Sequence, residues 1–254
     1  MASLRLCFIL LAILGFASSA SSDDGKAALA AAITPIVQAE IAAGHVPGAV
    51  VLVGRRGKVL YRQAFGLAAI EPKRRPMRAD TIFDLASLTK VIATTPAVMQ
   101  LVEAGKLKLD DPVAKYWPAF AANGKDRITV AQLLTHTSGL RPDLDLSEEW
   151  TGMDEALSRV EVEAPTAEPG THFEYSDINF IALGELVRRV SGERLDRYAK
   201  RHIFTPLGMG ETTFRPASGL RPRIAPSDLQ KGKLRWGEVQ DPTAYRMGGV
   251  AGHA

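Results

Sequence analysis

Apolar and polar positions follow two different periods in the first third of the chain. Apolar residues recur at helical spacing over Lys26–Ala43, which predicts a helix, and Gly44 is typical of the residue that ends one. Pro35 lies inside this run and can break the helix, because proline lacks a backbone N–H. The runs Pro47–Val53 and Val59–Phe65 are β-rich and flank a polar turn, so they predict a hairpin.

Helix signals dominate the next part of the chain, from Ala86 to about Phe204. Apolar residues at helical spacing follow Lys90 as far as Gly105, and Pro96 is expected to kink this helix. The order of helix, hairpin and long helical stretch predicts an α+β fold whose sheet has only begun and whose helical part is inserted. No internal repeat interrupts it, so one continuous domain is the simplest interpretation.

The first twenty residues have the pattern of a secretory signal peptide. Arg5 supplies a positive charge, Leu6–Phe16 is apolar, and Ser18–Ala20 offers small residues for cleavage. A membrane anchor is the alternative, but the apolar run is shorter than the ~20 residues that a spanning helix needs. We therefore expect a signal peptide at residues 1–20, a domain at 21–254, and a secreted or periplasmic protein without a stable membrane span. Cys7, the only cysteine, would leave with the signal peptide.

Charge and composition narrow the classes of partner. The 254 residues carry 31 lysines and arginines against 28 acids, and no run of five like charges, so a nucleic-acid partner is not expected. His45, His172 and His202 have no metal-ligand spacing, and no cofactor motif is present, so neither a metal nor a cofactor is implied. A basic helical surface predicts a solvated face, or as a minor alternative an attraction to anionic membranes; it comprises Arg188, Arg189, Arg194, Arg197, Lys200 and Arg201.

Candidate chemistry begins at Ser87-Leu88-Thr89-Lys90. On a helix, Ser87 and Lys90 would lie one turn apart, close enough to exchange a proton. A serine near a helix start also has free backbone N–H groups around it, which favour the negative charge of an attacked carbonyl. The alternative is a serine cap followed by a solvated lysine, and this short motif alone does not exclude it.

A second candidate lies 88 residues further on, at Tyr175-Ser176-Asp177. Ser176 or Asp177 can cap the helix that follows and ends at Gly192, which is a purely structural role. Tyr175 would then stand at the mouth of a rigid element. A tyrosine in that place can shuttle a proton when a nearby cation lowers its pKa.

These motifs belong to a longer series of blocks that resembles the serine β-lactamase and penicillin-binding protein superfamily, in particular class C β-lactamases and related carboxylesterases. The blocks, in the family's order, are Phe83–Lys90, Leu107–Val113, Leu133–Leu140, Tyr175–Asp177 and Pro206–Met209. The resemblance implies an antiparallel sheet flanked by helices and a large helical subdomain. It also implies a hydrolase that forms a seryl ester with ester, peptide or β-lactam-like substrates.

The resemblance implies specific roles for the motif residues. Ser87 would be the acylated nucleophile, Lys90 its proton-exchanging neighbour, and Tyr175 the general base that later serves as the acid. Whether lysine or tyrosine takes the first proton stays open. Asp177 would bind substrate; where the family usually has asparagine, an ionised carboxylate can only accept hydrogen bonds. The acylamino group of a penicillin would thus lose a donor, which favours ester or peptide-like substrates over β-lactams. Asp177 can instead pair with Lys90, which would shift base duty to Tyr175.

The family's third motif, Lys-Thr-Gly or His-Thr-Gly, does not follow Tyr175 anywhere in the sequence. The stretch Gly248–Ala254 resembles instead the loop that precedes the closing strands, so we expect an incomplete sheet and a domain cut before the third motif. That absence keeps two alternatives open beside a general hydrolase. One is a D,D-peptidase acting on peptidoglycan stem peptides, and the other is a non-catalytic binder of cell-wall peptides or acyl ligands.

His136 and Ser138 invite a serine–histidine pairing, but residues two apart do not face each other on a helix. Thr129 and Gln132 predict a capping box for a short helix that ends near His136. We therefore expect a structural role for this segment.

Overall fold

The computed structural model describes residues 22–230 and 232–254, so the predicted signal peptide at 1–20 and Cys7 lie outside the described residues. Two compact units are present, one extending to Ala79 and the other spanning Asp80–Ala254. Helices and small antiparallel sheets together make this an α+β protein, as predicted. Within the described residues, no helix combines the length and the apolar character needed to cross a membrane.

The first unit contains the predicted helix and hairpin. Helix α1 spans Ser22–Ala42 and strands β1, β2 and β3 span Gly48–Arg55, Lys58–Ala69 and Arg75–Pro76. The strands form an antiparallel sheet in the order β1-β2-β3. Pro35 lies inside α1 without ending it, so the possible break at this position does not occur.

The second unit is mainly helical. The Ser87 segment forms a 3₁₀ turn, Ala86–Leu88, and then a π-helical turn, Lys90–Thr94. Five α-helices lie between this segment and residue 200: α2 Thr95–Glu103, α3 Val130–Leu134, α4 Met153–Val162, α5 Asp177–Ser191 and α6 Leu195–Ala199. Short elements complete the unit: 3₁₀ turns at Val113–Lys115, Pro118–Gly124 and Ser218–Arg223, a π-helical turn at Lys200–Phe204, strands β4 Asp228–Gln230 and β5 Lys233–Arg235, and helix α7 Pro242–Arg246.

Pro96, predicted to kink the helix, lies just after the point where the π-helical turn Lys90–Thr94 gives way to α2. It is in the first turn of α2, a position at which proline is common. The helical path upstream of it is the π-helical turn rather than an extension of α2.

Helix α5 lies at the centre of the second unit. Every residue from Ile178 to Val187 is buried, as expected of a helix with neighbours on all sides. Ser176 caps its start by accepting a hydrogen bond from the Asn179 N–H, and Gly192 ends it in the left-handed conformation with φ 76°. The core around α5 includes Trp117 and Phe120, both fully buried. The beginning of α5 is therefore a rigid platform.

Part of the predicted basic surface is paired with acidic side chains. Arg188 and Arg189 both contact the buried Glu185 carboxylate, and Arg194 pairs with Asp196. These three arginines share two carboxylates, so the surface is partly paired but keeps a net positive charge.

Candidate active site

The Ser87 turn is held by an aspartate just before it. Asp84 Oδ1 accepts a hydrogen bond from the Ala86 N–H at 3.0 Å, and its Oδ2 accepts one from the Gln240 N–H at 2.8 Å. Ala86 has a φ of 44°, a left-handed conformation that is rare for residues with a Cβ and that often marks functional sites. This turn leaves Ser87 exposed at the surface, where a substrate can reach it.

Lys90 lies beneath Ser87 and has three polar partners. Its Nζ is 3.0 Å from Ser87 Oγ, 3.1 Å from the His253 carbonyl oxygen and 2.6 Å from Asp177 Oδ1. The side chain is buried, with 3% of its surface exposed. The predicted contact between Ser87 and Lys90 is present, although the chain between them forms 3₁₀ and π-helical turns rather than an α-helix.

Asp177 and Tyr175 approach Lys90 from the start of α5. Asp177 is the first residue of this helix, and its N–H donates to the Pro142 carbonyl at 2.7 Å. The Lys90 ammonium lies 4.7 Å from the centroid of the Tyr175 ring, which is 44% exposed. The structure therefore brings Ser87, Lys90, Tyr175 and Asp177 together. Of the two alternatives given for Asp177 from the sequence, substrate binding or pairing with Lys90, the ion pair with Lys90 is present.

His136 packs directly on Tyr175, which the sequence did not reveal. The two rings stack with centroids 4.5 Å apart and planes inclined by 29°. His136 Nδ1 also accepts a hydrogen bond from the Ser176 N–H at 3.0 Å. Burial, together with the positive charge of Lys90, lowers the pKa of His136 below its ordinary value. The predicted capping box of Thr129 and Gln132 is confirmed, and the short helix that it starts, α3, ends at Leu134, just before this histidine.

The glycine-rich stretch near residue 250 supplies the third partner of Lys90. Thr94 Oγ1 donates to the Gly252 carbonyl at 2.6 Å, and His253, fully buried, contacts Asp241 Oδ1 through Nε2 at 2.8 Å. A Cβ atom on Gly252 would lie 1.8 Å from the Phe180 carbonyl oxygen, so only glycine fits against α5 here. Asp241 in turn caps α7 by accepting from the Ala244 N–H at 2.7 Å. Sequence reasoning assigned no role to Asp241 or to His253.

Asp177, Asp241 and His253 place ligand-type atoms within 4.8 Å of one another. Asp177 contacts the Lys90 ammonium, and Asp241 contacts His253, whose carbonyl oxygen also contacts Lys90 Nζ. The three residues therefore form one group around Lys90.

A cavity of about 340 Å³ lies beside the Ser87 turn. Asp84, Leu85 and Thr89 line one side of it, and Phe204, Phe214 and Val239 contribute apolar surface. The turn that carries Ser87 therefore borders a cavity with partly apolar walls.

A serine and a lysine in contact near a tyrosine, within an α+β fold, define the class of the serine β-lactamases and penicillin-binding proteins. The sequence model of the beta-lactamase family matches residues 31–254. The chain belongs to the beta-lactamase family, and the resemblance found in the sequence is confirmed.

Individual relatives agree with this assignment. A protein named putative D-alanyl-D-alanine carboxypeptidase, from Escherichia coli K12, is 34% identical over 247 residues, which cover 82% of this chain and 56% of that protein. The solved structure of EstCE1, described as a hydrolase with promiscuous acyltransferase activity, has a TM-score of 0.72 at 29% identity and covers 89% of this chain and 69% of its own. A class C β-lactamase solved with cefoxitin has a TM-score of 0.74 at 25% identity, with 89% and 62% covered. The chain spans a little over half the length of the curated relatives it matches.

Proposed function

We propose that this protein is a serine hydrolase that acts through an acyl-enzyme, with Ser87 as nucleophile. The observation that carries the proposal is the position of the buried Lys90 ammonium, 3.0 Å from Ser87 Oγ and 2.6 Å from Asp177 Oδ1. A serine hydroxyl needs such a neighbour, because it is a poor nucleophile without help in losing its proton. Membership of the beta-lactamase family supports the same reaction class.

In the proposed mechanism, Ser87 Oγ attacks the carbonyl carbon and its proton passes to the phenolate oxygen of Tyr175. The tyrosine then gives this proton to the leaving group as the bond to the carbonyl carbon breaks. Water hydrolyses the seryl ester by the same route and regenerates Ser87. Lys90 carries a positive charge beside Asp177, so it stabilises the phenolate and the developing negative charge rather than accepting the proton.

Asp177 shapes the proposed substrate preference. Its carboxylate accepts hydrogen bonds and is paired with Lys90, so it offers no amide donor to the acylamino group of a penicillin. We therefore propose ester or peptide-like substrates over β-lactams. Within this class, a D,D-peptidase acting on peptidoglycan stem peptides is the second candidate, favoured by the relatives named D-alanyl-D-alanine carboxypeptidase.

Covalent labelling with a fluorescent fluorophosphonate tests the nucleophile. We expect label on the wild-type protein and none on Ser87→Ala, while Ser218→Ala, at an exposed serine, keeps full labelling. Label that persists in Ser87→Ala contradicts the assignment. Saturable binding of cell-wall peptides without any label would support the non-catalytic binder instead.

Substrate class requires a separate comparison. Turnover of nitrocefin, of short p-nitrophenyl esters and of a peptide ending in D-alanyl-D-alanine is measured on one preparation. We expect the esters or the peptide to be hydrolysed faster than nitrocefin, and Ser87→Ala to lose all three activities. Faster nitrocefin hydrolysis would overturn the proposed preference.

We also propose that the protein is exported to the periplasm or secreted. The charged, apolar and small-residue pattern of residues 1–20 supports this proposal. Fractionation of cells that express the full chain, with N-terminal sequencing of the product, should find a start close to residue 21 outside the cytoplasm. A cytoplasmic product that still begins at Met1 would refute it.

A further inference from the structure

We propose that His136 is a positioning residue that holds the phenol of Tyr175 beside Lys90. This role rests on the hydrolase function proposed above, because it concerns the residue that moves the proton. Two independent contacts carry it, a ring stack and a backbone hydrogen bond. The rings of His136 and Tyr175 lie 4.5 Å apart, and His136 Nδ1 is 3.0 Å from the N–H of the next residue, Ser176.

The backbone of His136 adds a third contact to the same segment. Its carbonyl oxygen accepts a hydrogen bond from the Glu174 N–H at 2.9 Å. His136 therefore contacts the residue before Tyr175, the ring of Tyr175 and the residue after it. A side chain on an exposed surface otherwise samples several rotamers, and 44% of the Tyr175 side chain is exposed. These contacts restrict the movement of the Tyr175 ring, whose centroid lies 4.7 Å from Lys90 Nζ.

The geometry also requires a particular protonation state of His136. Nδ1 accepts from the Ser176 N–H, so it carries no proton, and the neutral ring has its hydrogen on Nε2. The titratable groups that face the ring are Lys90, Tyr175 and Asp177. If Nδ1 were protonated, its N–H would face the Ser176 N–H, and two donors cannot form a hydrogen bond with each other. The charged ring would also place a second positive charge near Lys90.

The conformation of His136 limits which residues can replace it. Its φ is 57°, in the left-handed region that asparagine tolerates well and phenylalanine poorly. Asparagine also has an oxygen near the position of Nδ1, which can accept the Ser176 N–H. His136→Asn thus keeps the backbone contact and loses the stack, whereas His136→Phe keeps an aromatic ring and loses the acceptor.

The test compares kcat and KM for a p-nitrophenyl ester in both variants. We expect kcat of His136→Phe to fall by roughly tenfold to a hundredfold with KM unchanged, because a displaced base slows the chemical step only. His136→Asn should recover part of this loss, and its acid limb in the pH profile should lie at lower pH because the titrating ring is gone. His172→Phe and His172→Asn, at an exposed histidine nearby, are the matched controls and should behave like wild type.

A second measurement does not depend on turnover. In protein with isotope-labelled tyrosine rings, the Tyr175 resonance, assigned with Tyr175→Phe, should be displaced by the neighbouring ring and should lose this displacement in His136→Asn. An unchanged Tyr175 resonance, or a kcat of His136→Phe equal to wild type, overturns the positioning role. A wild-type protein that hydrolyses none of the substrates refutes the proposed function instead, and the resonance then still decides whether His136 holds the ring.

Discussion

Two lysines in the second unit are buried to nearly the same degree, but their surroundings differ. Lys90 is 3% exposed and Lys125 is fully buried. Lys125 Nζ donates to the carbonyl oxygens of Ala122 at 2.7 Å and Glu161 at 2.9 Å, and also to that of Glu163. Lys90 instead contacts a hydroxyl, a carbonyl and a carboxylate.

The partners of Lys125 explain its burial without any chemistry. Two of its acceptors belong to the end of α4, where carbonyl groups have no partner within the helix and a positive charge is favourable. Burial lowers the pKa of Lys125 below its ordinary value. Lys125 therefore joins the end of α4 to the 3₁₀ segment that carries Ala122.

The difference teaches that a buried lysine is not by itself a functional signal. Lys90 is distinguished by its contact with Ser87, an exposed hydroxyl that a substrate can reach, and by its ion pair with Asp177. Substitutions at the two positions should accordingly separate loss of activity from loss of stability.

The largest expected effect is the loss of turnover in Lys90→Met. We expect ester hydrolysis to fall by roughly 10²–10³-fold, the range for removing one group that stabilises the charge developing in the reaction. Lys125→Met should retain the wild-type turnover per folded molecule. The measurement is kcat per folded molecule, with the folded fraction taken from circular dichroism.

Lys90→Met leaves the Asp177 carboxylate without its partner, so loss of folding must be separated from loss of chemistry. The double variant Lys90→Met/Asp177→Asn removes both charges and should fold while remaining inactive. Wild-type turnover in this double variant would show that Lys90, like Lys125, is not needed for activity.

The second effect is on stability, and it belongs to Lys125. Lys125→Met leaves buried carbonyl groups without a donor, which should lower the free energy of unfolding by about 1–3 kcal/mol. Urea denaturation followed by circular dichroism measures this change. A variant as stable as wild type would show that water replaces the ammonium and that Lys125 does not hold α4.

His136 should have a smaller effect, which is a dependence of stability on pH. Its pKa is lowered in the folded protein, so the unfolded chain binds its proton first as the pH falls. The stability that neutral His136 contributes is complete above its unfolded pKa of about 6.5 and is lost as the pH falls through the folded value. Unfolding by urea at several pH values should show a steeper acid loss for wild type than for His136→Asn, and equal slopes would contradict this.

The smallest effect is expected at a third lysine, Lys115, whose side chain is 53% exposed and pairs with Asp111 at 2.8 Å. Water and salt screen such a pair, so it adds little to stability. Lys115→Gln should match wild type in melting temperature and in turnover. A clear loss of stability or of turnover would mean that burial does not explain why Lys90 and Lys125 matter more than Lys115.

The parts of the site that could be predicted from the sequence are those whose contacts are local in the chain or belong to a motif. The spacing of Ser87 and Lys90 predicted their contact, and the capping pattern predicted the start of α5 that carries Tyr175 and Asp177. The π-helical turn was not predictable, because no residue pattern distinguishes it from an α-helical turn.

The supporting residues were missed for a different reason. His136 and Tyr175 are 39 positions apart, and their stack depends on how α3 and α5 pack rather than on either segment alone. The block Leu133–Leu140, which contains His136, is the one signal in the sequence that points to this contact. His253 acts on Lys90 through its backbone carbonyl, and a side-chain motif carries no information about such a contact.

The close contact of Gly252 with Phe180 bears on the order in which the surroundings of Lys90 form during folding. Lys90 and the carbonyl that fixes it are separated by 163 positions, and contacts over such distances form late because a long loop must close first. That carbonyl belongs to His253, the residue after Gly252, so it reaches Lys90 only when Gly252 packs against Phe180. We therefore expect the polar surroundings of Lys90 to be completed late in folding.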